Sequence, residues 1–229
     1  INLLLSITYI SEMTFSAWHK EIINWIPKEP GNPAMDRRRP ICLLEVMRKI
    51  ALGIKSRKVF DIWEEAGVID KDNYAFTKGN TTTDPILIKK MILEDAIRNN
   101  KPLYTVDIDY KAAYDRVPYF MKEMCLRRMG MPEKGIKLWC KHDVLRTQFV
   151  RTAYGFSEEG VHPQAGAFGQ GAVESPMGFV SLMSWKCDYI ELECSEKDPY
   201  EYEWSAQHEK LVKSIFCEDA FYYSKSFDG

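Results

Sequence analysis

Three carboxylates stand where chemistry could be done with them: Asp109, closing the run that starts at Leu103, and the adjacent pair Glu218-Asp219. From Leu103 to Asp109 the residues alternate and read as a buried strand. Tyr104, Val106 and Ile108 fall on one face and Leu103, Thr105, Asp107 and Asp109 on the other. Asp109 falls where the run gives way to Tyr110-Lys111, and a strand end lets a side chain leave the packed layer and reach a ligand. Oxygen donors at such a point suit a hard cation. The pair Glu218-Asp219 lies between two apolar and aromatic runs, so Leu211 to Ser224 reads as a hairpin with acids at its tip. Adjacent carboxylates repel, and between Phe216 and Phe221 they need a cation or a solvated tip. Taken alone, the tip reads more readily as a polar turn, since Asp is a common turn residue.

The third stretch is Phe168-Gly-Gln-Gly-Ala-Val-Glu-Ser-Pro-Met-Gly-Phe179. Glycines on both sides of Gln170 let the backbone approach a ligand, and Ser175-Pro176 reads as the cap and first residue of a helix. Gly166, Gly169 and Gly171 lack the strand-glycine-helix order of a dinucleotide fingerprint.

With these stretches in this order, the chain resembles the reverse transcriptases, most closely those of non-LTR (LINE-type) retrotransposons and group II introns. The family's first palm motif resembles Asp109-Tyr-Lys-Ala-Ala-Tyr-Asp-Arg-Val117. Its Gln-Gly…Ser-Pro motif resembles Gln170-Gly171…Ser175-Pro176, and its aromatic-X-Asp-Asp hairpin resembles Phe216-Cys217-Glu218-Asp219. Gly160-Val-His-Pro-Gln164 imitates the glutamine motif, but Gln170 is the residue five places before Ser175. Upstream, Trp25-Ile-Pro-Lys28, Arg39-Pro-Ile-Cys-Leu-Leu44, Lys49-Ile50 and Ala75 to Asp84 resemble fingers-side motifs, so the likeness runs from about residue 22 to 224.

The resemblance implies an α+β fold: a polymerase palm, with an antiparallel sheet and helices packed on one face, plus partial fingers and no thumb. Residues 1–102 would be fingers and 103–229 palm, part of a larger retrotransposon polyprotein. The implied activity is RNA-directed DNA polymerisation, with an RNA template, a DNA primer and deoxynucleoside triphosphates as partners. Asp109, Glu218 and Asp219 would hold two Mg²⁺ ions, for which Mn²⁺ can substitute. A backbone carbonyl of Ile108 or Tyr110 is open as a further ligand. Tyr114 would block a ribose 2′-hydroxyl, favouring deoxynucleotides, and Gln170 and Gly171 would meet the nucleotide sugar and templating pair. Lys28 and Arg39 would face the triphosphate.

One position departs from the family, which has Asp where this chain has Glu218. The extra methylene displaces the carboxylate by about 1.5 Å, and Mg²⁺ demands near-ideal geometry. The pattern therefore also allows a weakened enzyme, or a catalytically silent domain that only binds RNA or protein. An ordinary metal-dependent nuclease would use clustered acids too, but leaves Tyr114, Gln170 and the Lys28/Arg39 hairpin unexplained.

The chain has 229 residues and a formal net charge of −2, so no global field draws nucleic acid and any groove must be basic by local arrangement. Six scattered cysteines show no zinc-ligand spacing and read as reduced thiols of an intracellular, non-secreted protein, which the resemblance would place in the nucleus. The apolar opening Ile1 to Ile10 lacks a basic leader, is too short to span a bilayer and reads as the middle of a helix cut from a longer chain.

The positioning elements follow from periodicity. Residues 1 to about 23 read as helix, with Phe15, Trp18, Ile22 and Ile23 facing a core, and an extended segment begins at Ile26-Pro27-Lys28. Pro30-Gly-Asn-Pro33 turns it back to Arg39-Pro40-Ile41, making a hairpin that projects Lys28 and Arg39. Leu43 to Ile62 reads as a helix pair. Asp84 caps a helix from Pro85 to Asn99 that buries Ile86, Ile88, Met91, Ile92 and Ala96. Helices are expected from Val117-Pro118 to Gly130 and from Pro132 toward Phe149, with Ile136, Trp139 and Cys140 inward. The helix from Ser175 to about Glu191 reads as apolar nearly all round, including Leu182 and Trp185, and Glu193 to Lys210 as a surface excursion.

Overall fold

The computed structural model describes residues 2–32, 34–163, 166–194, 199–204 and 207–226. In chain order the elements are α1 (Asn2–Ser11), β1 (Lys20–Pro27), β2 (Arg38–Leu44), α2 (Val46–Glu65), α3 (Thr83–Asn99) and β3 (Tyr104–Ile108). Then come α4 (Ala113–Arg116), α5 (Tyr119–Arg128), α6 (Glu133–Val144), β4 (Thr147–Thr152), β5 (Gly155–Phe156) and α7 (Ser175–Cys194). The series closes with β6 (Tyr200–Trp204), β7 (Gln207–Leu211), β8 (Lys213–Phe216) and β9 (Asp219–Ser224). The fold is α+β. Two compact units form, each from two separated segments: Ile1–Ile62 with Ala112–Phe179, and Trp63–Lys111 with Val180–Gly229.

The first unit is built on a four-stranded sheet in the order β2-β1-β4-β5. Here the structure corrects the amino-terminal expectation: helix stops at Ser11, a single turn over Ser16–His19 buries Trp18, and the chain is already extended at Lys20. Ile22 and Ile23 are β-branched and find partners on both sides, antiparallel β2 and parallel β4, so pairing overrides a helical spacing of apolar residues. Phe149 likewise lies in β4 rather than at the end of a helix, because Thr147-Gln-Phe-Val150 pairs with β1 after α6 has ended at Val144. The expected helix pair over 43–62 is one continuous helix, α2. Its internal breaker, Gly53, costs only about 1 kcal/mol in a helix, too little to end one. Ile23, Cys42, Leu44 and Ala172 form a core cluster with Trp25 against it.

Beneath this sheet the unit holds charge. Arg48 is 1% exposed and reaches Glu21 Oε1 at 2.9 Å and Glu174 Oε1 at 3.4 Å. Arg146 stands 3.6 Å from Glu21 Oε2, and Lys122 pairs with Asp143 at 2.6 Å, all six side chains of the cluster being buried. Three cations thus oppose three anions, the condition on which buried charge is tolerated.

The second unit carries a three-stranded antiparallel sheet in the order β3-β9-β8. Residues Asp72 to Tyr74 run along β8: Ile215 N–H donates to Asp72 O and Tyr74 N–H to Ile215 O, both at 2.9 Å. Lys213, buried in β8, pairs there with Asp70 at 3.1 Å and Asp72 at 3.6 Å. The core joins Ile92 and Ala96 of α3 to Tyr200 and Tyr223. Ile86, expected inside, is exposed. Asp84 caps α3 from within its first turn, accepting from Thr81 N–H at 2.5 Å and Thr81 Oγ1 at 3.0 Å. Asn100 ends the helix at φ +50°.

Two further expectations are corrected in this unit. Strand β3 is an edge strand rather than a buried one, with Tyr104 and Val106 exposed. The stretch after Glu193 is not wholly a surface excursion: β6 and β7 form a hairpin whose Tyr200 is 1% exposed and donates to Asp95 Oδ2 at 2.7 Å. Residues 195–198 and 205–206 of that stretch, and Gln164, lie outside the described residues. Along α7, Met177, Phe179, Val180, Met183 and Cys187 are buried with Ser181 and Ser184, whereas the apolar Trp185 is exposed, so the helix is buried on one side only. Among the described residues, no helix is long and apolar enough to cross a membrane.

Candidate functional site

Strand register settles where the acids lie. Residues opposite one another on paired strands share a face, and Asp107 pairs with Phe221 and Ile108 with Ala220. The ladder ends there, and its register continued by one position sets Asp109 against Asp219, on the face that also carries Asp107 and Phe221. Phe216 pairs with Asp219 across a two-residue turn, Cys217-Glu218. Cys217 takes φ +56°, the sign that a type II′ hairpin turn requires of its first central residue. Outside glycine that conformation is costly, and here it sits beside the acids.

The electrostatics agree with that placement. Burial, then the charges of Glu218 and Asp109, push the Asp219 carboxyl above the usual carboxylate range. Asp109 and Asp219 are exposed and Glu218 half-buried. The neighbouring Asp107 behaves differently: Lys89 donates to its Oδ2 at 2.5 Å and lies 4.3 Å from the centre of the Phe221 ring. A cation of the protein thus neutralises one of the two acids on the β3 face. Beside the other, Lys186 of α7 donates to Tyr110 Oη and lies over the rings of Tyr110 and Tyr222.

The remaining predicted residues belong to the first unit. Lys28 and Arg39 are exposed on the expected hairpin, whose register pairs Ile26 with Arg39 and whose turn is closed by Lys28 N–H donating to Arg37 O at 2.9 Å. Tyr114 stacks on Phe179, with ring centres 4.5 Å apart and planes 14° from parallel. Gln170 Nε2 donates to Asp115 Oδ2 at 3.0 Å. The glycines beside Gln170 also have a use inside the protein. Gly171 has φ +96°, and a Cβ there would lie 3.0 Å from Cys42 O, while Cys42 N–H donates to Gln170 O at 2.7 Å. The close approach they permit is to β2.

Asp115, Lys89 and Lys186 escaped the sequence reading. Their partners lie 55, 18 and 76 residues away, so no local spacing marks them.

Among the described residues, no group of three or more His, Cys, Asp or Glu side chains is gathered closely enough to hold a metal ion. That does not disqualify the acids. Mg²⁺ takes one or two carboxylates, the rest of its shell coming from water and substrate phosphates. Asp109 and Asp219, adjacent across a ladder and in each other's field, are an oxygen donor set that fits.

No family model and no curated protein matches the chain. Solved structures do. Apo telomerase from Candida tropicalis superposes with a TM-score of 0.59 at 14% identity, over 99% of this chain and 44% of that one. The same enzyme truncated from its C-terminal domain gives 0.55 at 17%, over 98% and 49%. Telomerase from Candida albicans, in complex with the TWJ fragment of telomeric RNA, gives 0.52 at 11%, over 99% and 41%. The chain thus spans less than half the length of these structures. At such identities the likeness shows the fold, which is reverse-transcriptase-like.

Proposed function

We propose that this reverse-transcriptase-like chain is an RNA-directed DNA polymerase domain that transfers deoxynucleotides to a primer 3′-hydroxyl on an RNA template. The observation that carries the proposal is the meeting of Asp109 with Asp219, an acid pair left without the cation that neutralises Asp107. Asp109 and Asp219 would hold Mg²⁺, with Glu218 as the further ligand; bound Mg²⁺ supplies Lewis-acid activation of the attacking hydroxyl and of the departing pyrophosphate. The chain's own residues bind and orient. Lys28 and Arg39 present exposed positive charge for the triphosphate. The Tyr114 ring, held against Phe179, would exclude a 2′-hydroxyl. Gln170, fixed by Asp115, and Gly171 would border the nucleotide sugar. A retrotransposon polyprotein working in the nucleus is the context we propose for this activity.

The test is primer extension on poly(rA)·oligo(dT) with Mg²⁺ or Mn²⁺. Extension by the chain is expected, with loss of at least about 100-fold in Asp109→Asn, the order seen when a group that stabilises transition-state charge is removed. Asp107→Asn should retain extension, because its carboxylate is already satisfied by Lys89. Equal losses in the two variants would contradict the assignment.

A further inference from the structure

The first unit contains a cavity of about 360 Å³, whose lining includes the Asp115 that fixes Gln170. Its walls are Ile23, Trp25, Pro40, Val150, Val161 and Pro163, and Asp115, Arg146 and Gln148 supply its polar groups. It opens on a defined side of the Lys28/Arg39 hairpin. Trp25 pairs with Pro40 and Ile23 with Cys42, so all four share one face, and alternation puts Arg39 and Ile41 on the other. The cavity therefore faces away from the side proposed to meet the triphosphate. Its volume is at the small end for ligand pockets, which begin at about 300 Å³.

The polar groups are not equivalent. Arg146 Nη2 already donates to Gly166 O at 2.7 Å, and Gln148 Nε2 to Glu21 Oε2 at 3.3 Å. Asp115 accepts from Gln170 Nε2 through Oδ2, and a carboxylate has about four lone-pair sites. The cavity thus offers a ligand acceptors, in a half-buried carboxylate whose pKa burial raises despite the opposing effects of Gln170 and Arg146. A fitting ligand is planar, apolar on its faces against Trp25 and Pro40, and carries two adjacent N–H donors on one edge.

Guanine has that edge, N1–H beside N2–H₂. Adenine and cytosine place an acceptor next to their amino group, which would meet the carboxylate's negative charge. A guanidinium has the matching fork too, but it is cationic, and Arg146 already lines the cavity. We infer that this cavity binds an unpaired guanine base, with its Watson–Crick edge on Asp115 and its face on Trp25. Single-stranded RNA is commonly read this way, by aromatic stacking and hydrogen bonds to exposed base edges. Because Asp115 also holds Gln170, an occupied cavity would compete for the carboxylate that fixes Gln170. The inference does not depend on nucleotidyl transfer.

The test is saturation-transfer NMR and calorimetry on the full chain with guanosine, inosine, adenosine and N-acetylarginine amide. Guanosine should bind at least tenfold more tightly than inosine, which lacks the 2-amino group, and than adenosine. Asp115→Asn should lose guanosine and gain xanthosine, whose edge offers one donor and one acceptor, an exchange that a merely misfolded variant would not show. Trp25→Leu should weaken every nucleoside alike. A single-stranded UUGUU oligonucleotide, compared with UUUUU and with guanosine, separates the two sources of the base. Tighter binding than guanosine assigns RNA and equal binding a free nucleoside, and either supports the site. No saturation by guanosine at millimolar concentration, equal binding of inosine, arginine amide outcompeting guanosine, or unchanged specificity in Asp115→Asn would overturn it.

Discussion

The buried charge cluster of the first unit and the acids of the second are arranged in opposite ways. In the first, Glu21, Glu174, Asp143, Arg48, Arg146 and Lys122 are buried together with each sign answered by the other. In the second, Asp109, Glu218 and Asp219 are set side by side at the mouth of a hairpin, and burial, then the unrelieved charges of Glu218 and Asp109, raise the Asp219 pKa. A neutralised cluster holds an architecture together, whereas a frustrated one is what a protein keeps when something else is to bring the missing charge. Removing a charge should therefore have opposite signs in the two places.

The largest effect is expected in the first unit. Lys122→Met leaves Asp143 buried without its cation, and breaking such a pair costs about 3–5 kcal/mol, measurable as a fall in denaturation midpoint. His142 tests the same unit through pH. Burial, then Arg48, lowers its pKa to about 2, so the folded protein keeps it neutral while the unfolded chain protonates near pH 6.5. The depressed value means that stability is complete above pH 6.5 and is lost as pH falls, at up to about 1.4 kcal/mol per pH unit for a single proton. Thermal melts from pH 7 to 4.5 should fall steeply, and His142→Gln should flatten that slope.

The smallest effect has the opposite sign. Asp219→Asn removes like-charge repulsion at an exposed tip, so Tm should rise, on the order of 1–2 °C, while primer extension is lost. A fall in Tm would mean that Asp219 has a stabilising partner and that the contrast between the units is wrong.

What was legible in the sequence was local. The alternation from Leu103 to Asp109 and the aromatic runs around Glu218-Asp219 identify β3 and the β8–β9 hairpin, because a period of two needs no knowledge of partners. The reading failed where partners decide. Ile22 and Ile23 became strand because β2 and β4 flank them, and Tyr200 became core because Asp95 accepts its hydroxyl. The exposure of Val106 follows from β3 being an edge, which alternation cannot reveal. The same limit divided the site. Asp109 and Asp219 were visible as chemistry, but Lys89, which removes Asp107 from contention, and Asp115, which fixes Gln170, are known only through contacts made at a distance in the chain.

The central claim, that the acids of the second unit are a polymerase's metal-holding acids, is tested most directly at Glu218. Primer extension on poly(rA)·oligo(dT) by the chain and by Glu218→Asp, in parallel and with Mg²⁺, should show a gain of about tenfold in the variant, equivalent to about 1.4 kcal/mol of barrier. Equal or lower extension by Glu218→Asp, or none by either protein, would contradict it.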